Sequence, residues 1–140
     1  MNRNLYVLDG SEPRPANSVM EWMRWYAAAQ RELARTEIGK ALEIVTVFLS
    51  IAPKTKAAAV DELERGRRMP ALFETTAFIM GGASFERIRL VRSRTWPEAE
   101  AAHGFIVEQI QEAATEGEQQ VRSTVIGARD RWLARRVEGD

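Results

Sequence analysis

Apolar and polar residues change their spacing several times along this chain of 140 residues. Residues 43–51 (EIVTVFLSI), 71–80 (ALFETTAFIM) and 85–94 (FERIRLVRSR) are rich in β-branched and aromatic side chains and read as three long strands. The third alternates Ile88 and Leu90 with Arg87 and Arg89, the pattern of a strand with one buried and one solvated face. Pro53 stops the first strand, because it cannot donate to a ladder, and Gly81-Gly82 marks a hairpin between the second and third.

Helical spacing frames this block. Residues 5–8 read as a short strand entering an Asp9-Gly10 turn, and the prolines at 13 and 15 keep residues 12–15 extended. Ser18-x-x-Glu21 has capping-box spacing, and Val19, Trp22, Met23, Tyr26, Gln30 and Leu33 fall on one stripe. This predicts a helix ending near Arg35, with Gly39 in the connection that follows. Trp22, Met23 and Tyr26 read as core, with Trp25 near its rim. Residues 54–68 are alanine-rich and charged, a short surface helix or a mobile insertion.

A second capping box, Thr95-x-x-Glu98 with Pro97 in the first turn, opens a helix that turns Ala99, Ala102, His103, Ile106, Ile110 and Ala113 toward the sheet. Gly117 weakens that helix, and Val121, Val125, Ala128 and Trp132 then form a further stripe. The last segment either folds back or extends away, and an extension would want a partner, most simply another copy. The expected fold class is α+β. A small antiparallel sheet in β-α-β-β-β-α order is packed by two helices, with residues 1–116 as the domain and 117–140 as a helical arm.

Composition narrows the function classes. Twenty basic residues balance twenty acidic ones. That balance argues against a duplex-DNA binder, which needs excess cation to displace counterions. Without cysteine there is no thiolate nucleophile, disulfide or Cys-based zinc site. No run has the length of a membrane span, and no signal peptide is read at the start, so the expected location is the cytoplasm. Charge is nevertheless uneven. Residues 65–94 hold seven arginines against Glu74 and Glu86, and residues 98–118 hold six glutamates with no Lys or Arg. Compensation inside the chain, acidic helix against arginine strand, is the favoured reading over a surface for another molecule.

Few residues offer chemistry. His103 is the single histidine, with no second ligand type at metal spacing, and reads as a packing residue; no metal or cofactor is expected. Glu74 sits among apolar strand neighbours, where it can act as an acid or base but reads better as the ion-pair partner of Arg89, Arg92 or Arg94. These arginines, with Arg65, Arg67 and Arg68, are suited to holding phosphate or carboxylate. They are read as lacking aromatics on their own face, which argues against single-strand stacking. Arg129, Arg131 and Trp132 are candidate interface residues on the arm.

In order along the chain stand Leu8-Asp9-Gly10, an aromatic helix at 22–26, Thr36-Glu37-Ile38-Gly39, Thr46-Val47-Phe48-Leu49, Leu72-Phe73-Glu74-Thr75-Thr76, and Thr95-Trp96-Pro97-Glu98-Ala99-Glu100 with His103. This series resembles a group of small bacteriophage and prophage proteins over roughly the first 110 residues. That group tends to carry an Asp-His pair and a Gly-rich loop after the TVFLG-like strand, where this chain has Ala52-Pro53 and the charged segment 54–68. Any activity resting on that pair would be missing here. The resemblance implies a mobile-element setting and no reaction.

The expected function is therefore a non-enzymatic phage or prophage interaction protein that binds a host or phage protein, such as a component of a host defence system like CRISPR. One alternative is a small anionic-ligand or nucleotide-binding protein with hydrolytic capacity, using Glu74, Arg89, Arg92 and His103. Another is a minor virion or assembly protein built through the arm.

Overall fold

Strands β1 (Tyr6–Asp9) and β2 (Glu12–Pro15) form an antiparallel hairpin, closed where Asp9 faces Glu12. Gly10 turns the corner at φ +65°, a conformation a Cβ disfavours. The computed structural model describes residues 4–52, 70–81, 84–114 and 121–139. The segment 54–68, its arginines, Gly82 and Gly117 lie outside the described residues.

Helix α1 (Val19–Ala28) starts as its capping box predicts. The Ser18 hydroxyl accepts from the Glu21 amide at 3.1 Å, and the Glu21 carboxylate accepts from the Asn17 amide at 2.8 Å. It stops seven residues before Arg35, however, and Ala29 is already extended. Residues expected in its last turns form strand β3 (Glu32–Ile38) instead. Ala34, Thr36 and Ile38 turn inward and Arg35 and Glu37 outward, a period of two. Pairing with the next strand outweighs the helix propensity of this Ala-, Glu- and Arg-rich stretch. Trp22 and Trp25 are half-buried against the hairpin, whereas Met23 and Tyr26, expected in the core, are exposed.

Strands β3, β4 (Leu42–Phe48), β5 (Phe73–Gly81) and β6 (Ser84–Ser93) form a four-stranded antiparallel meander in that order. The fold is α+β, with two strands, β2 and β3, beyond the expected β-α-β-β-β-α series. The expected strand 43–51 divides at Leu49: its first part pairs in the meander, and residues 50–52 leave it to pair with residues 4–6. Bulges lie between Glu32 and Ala34 and between Thr75 and Thr76 of the paired strands.

Helices α2 (Trp96–Ala114) and α3 (Val121–Gly139) both pack on one face of the meander. The Thr95 hydroxyl caps α2 by accepting from the Glu98 amide at 3.2 Å. Leu42, Ile44, Ala77, Leu90 and Val91 of the sheet, Ala102, Ile106 and Ile110 of α2, and Val125, Ala128 and Trp132 of α3 make one buried cluster. The C-terminal stripe therefore folds back, and Trp132, 8 % exposed, packs against Phe105 at 5.5 Å. A second cluster lies at the sheet's other end. There Trp25, Phe48, Phe73 and Trp96 form a continuous series of ring contacts from α1, through two strands, to the start of α2.

Charge compensation inside the chain is real, but α3 supplies much of it. Arg136 pairs with Glu98 of α2 at 3.2 Å, and Arg122 pairs with Glu86 of β6 at 3.1 Å. Among the described ion pairs, the acidic helix thus meets α3 through Glu98.

Candidate functional site

The alternation of strand residues gives the sheet two chemically different faces. On the helix-covered face, His103 of α2 enters a polar seam made by one threonine from each of three strands. Its Nε2 lies 2.9 Å from Thr36 Oγ1, its Nδ1 lies 2.8 Å from Thr46 Oγ1, and Thr46 Oγ1 lies 2.7 Å from Thr75 Oγ1. Burial pushes the imidazole pKa below its ordinary value, so the ring is held neutral. A neutral imidazole donates at one nitrogen and accepts at the other. The hydroxyl chain from Thr36 to Thr75 can therefore run in either of two senses, each with all three bonds made. His103 is a packing residue, bonded to hydroxyls.

The opposite face carries no described helix. Across it, the register places Arg92 opposite Glu74, Arg89 opposite Thr76, Arg87 opposite Phe78, and Phe85 opposite Met80. Glu74 is buried and ion-paired with Arg92 at 3.3 Å and with Arg89 at 3.8 Å. This is the cross-strand pair expected from the sequence. Arg87 has no hydrogen bond or ion pair among the described residues. Phe85 is 64 % exposed and its ring centroid lies 5.7 Å from that of Phe78, the planes tilted by 30°. Met80 is exposed beside them.

This corrects the expectation that the strand arginines lack aromatics on their own face. Phe85, Arg87 and Arg89 share a parity in β6, and that period of two was the signal available in the sequence. Phe78 joins them only through the cross-strand register, which no spacing along one strand reveals.

The far side of the same face is acidic. Glu32, Glu37 and Glu43 stand on β3 and β4, where Arg35 pairs with Glu32 and Glu43. Charge therefore runs from negative at β3 to positive at β6, and Arg87, without an ion pair among the described residues, sits beside the aromatic pair.

The sheet separates Glu74 from His103: the neighbours Glu74 and Thr75 point to opposite faces, and His103 bonds to the Thr75 side. Glu74, Arg89 and Arg92 come together, and His103 does not join them. On α3, Trp132 is buried, Arg129 pairs with Asp130 at 3.0 Å, and Arg131 donates to Gln109 of α2 at 3.1 Å. Those three serve contacts inside the chain. Among the described residues, open clefts lie beside α1. One of about 540 Å³ is lined by Tyr26, Arg31, Val47 and Ser50, and one of about 520 Å³ by Leu8, Arg14, Arg24 and Trp25. Neither contains a residue expected to bind ligand.

Among the described residues no helix is long and apolar enough to cross a membrane, and no three His, Asp or Glu side chains gather as metal ligands. No family model, curated protein or solved structure matches this chain.

Proposed function

We propose that this chain is a binding protein whose working surface is the exposed β5–β6 side of the outer sheet face, and that it takes an anionic macromolecule there. The observation that carries this reading is the grouping of Arg87, Arg89 and Arg92 on β6 with the exposed Phe85 and Met80. Solvated strand faces ordinarily mix charges and hide their aromatics. Among the described residues Glu74 is the one acid paired with these cations, and its nearer partner is Arg92. In a phage or prophage setting, as the sequence resemblance implies, the partner would be a host or phage macromolecule. A component of a host defence complex, CRISPR included, is one such partner.

The reading of a hydrolytic nucleotide site loses its motive, since Glu74 and His103 lie on opposite sides of the sheet. Assembly through the C-terminal segment loses its motive as well, since α2 covers the stripe that would have driven it.

The test compares the full chain with an Arg87→Glu/Arg89→Glu variant on an immobilised sulfated polyanion at low salt. Retention lost in that variant and kept in an Arg129→Glu/Arg131→Glu control supports the reading. Equal release of all three proteins overturns it.

A further inference from the structure

Resting on the anionic-partner reading, we infer that the exposed β5–β6 side of the outer face binds a short stretch of single-stranded nucleic acid, with a base on the Phe78–Phe85 pair and phosphates on Arg87 and Arg89. Three features of the face select this class. Phe85 projects from an edge strand, 64 % exposed, and its neighbour Phe78 holds it at 5.7 Å, so a flat π surface stands free. Every base has a π face, and stacking on an aromatic is tolerant of sequence. An acidic peptide matches the cations but has nothing flat to lay on the ring.

The cations also sit where a backbone would run. Residues two apart on a strand are separated by about 6.7 Å. Phe85, Arg87 and Arg89 thus offer one ring and two charges at a regular step along β6. A backbone lying along the strand brings successive phosphates to successive arginines. Arg87 is free among the described residues, and Arg89, 59 % exposed in its side chain, makes only a long ion pair. Both forks are therefore available for phosphate.

The acidic half of the face sets the limit of the site. Glu37 and Glu43 lie in the same cross-strand row as Phe78 and Arg87, so a strand is confined to the β5–β6 side. A duplex is disfavoured, because the face is flat with no helix or ribbon to enter a groove, and the chain has no net positive charge. The footprint is a few nucleotides, and binding is weak and strongly dependent on salt.

The test titrates a fluorescent thymidine oligonucleotide of about twelve nucleotides, a site length typical of small single-strand modules. Comparators are poly-glutamate of equal charge and a duplex of equal length. The expected result is that the single strand binds tightest. Phe85→Leu, which keeps an apolar side chain and loses the flat ring, then weakens it about tenfold. Arg87→Gln reduces the slope of log K against log salt by about 0.7, one phosphate contact on a single strand. Poly-glutamate binding as tight as the oligonucleotide, or an unchanged Phe85→Leu variant, overturns this inference and leaves the anionic-partner reading intact. Failure of both polyanions to bind overturns both.

Discussion

His103 Nδ1 lies 2.8 Å from Thr46 Oγ1 in the buried seam between α2 and the sheet, and this bond couples the helix to the strand beneath it. The ring is neutral there and its folded pKa is depressed by burial. The unfolded chain consequently binds more protons than the folded one as pH drops past the ordinary value of 6.5. Stability from this group is complete above that value and is lost as pH falls through the lower folded pKa. Thermal melts between neutral and mildly acidic pH should show that decline, and His103→Leu should flatten it. The same variant removes the ring's bonds to Thr36 and Thr46, of which Thr46 keeps its bond to Thr75, at a cost of about 1–3 kcal/mol at neutral pH.

Acid stability has a second, separate source. Glu21 takes both forks of Arg14, at 3.0 Å each, and also the Asn17 amide. Those bonds, the Arg14 fork foremost, hold its carboxyl down to about 2. Its contribution is present above the ordinary carboxylate value and is lost as pH falls through about 2. Glu21→Gln should therefore lower the melting temperature at pH 6 and make little difference at the lowest attainable pH. Circular dichroism melts across that range check it.

Trp132 separates packing from polarity. Its ring fills the space against Phe105, yet its indole N–H is buried with no acceptor among the described residues. Trp132→Ala should cost about 3–5 kcal/mol, the range for emptying an aromatic site. Trp132→Phe removes an unsatisfied donor along with some volume and should cost far less. Denaturant unfolding of the two variants distinguishes them.

Glu74 restrains the arginines of the outer face while stabilising them. Glu74→Gln leaves Arg92 and Arg89 without their counter-charge and should destabilise the fold by about 1–3 kcal/mol. The same change should tighten polyanion binding, because it frees two forks. A variant that is less stable and binds anions better is the expected combination, read by unfolding and by salt-dependent titration.

Gly39 joins β3 to β4 at φ +64°, and a Cβ added there meets nothing within 4 Å. Gly39→Ala should cost about 1–2 kcal/mol from backbone conformation alone. An equal loss in Gly39→Ala and a bulkier Gly39→Leu, by equilibrium unfolding, checks that no clash contributes.

Sequence periodicity reveals most of the sheet because β4, β5 and β6 are written in Val, Ile, Phe and Thr, residues that suit a pleated surface. Strand β3 escapes the same reading. Its inward residues include Ala34 and Thr36, which carry little hydropathy, and it follows a run of strong helix formers. His103 is legible as inward-facing from helical spacing. Its partners at 36, 46 and 75 belong to three strands and become neighbours only through register. The outer face is half legible: parity groups Phe85 with Arg87 and Arg89, whereas Phe78 and Glu74 arrive from the neighbouring strand.

Order along the chain has one more consequence. All four strands of the meander precede α2 and α3, the two helices that cover its apolar face. During synthesis from the ribosome, the oily underside of the ribbon emerges before its lid exists. A nascent chain stalled near residue 95 would present Ile44, Ala77 and Leu90 to any chaperone or sticky neighbour. Safe maturation of this protein thus depends on its final third arriving promptly, whatever the outer face later holds.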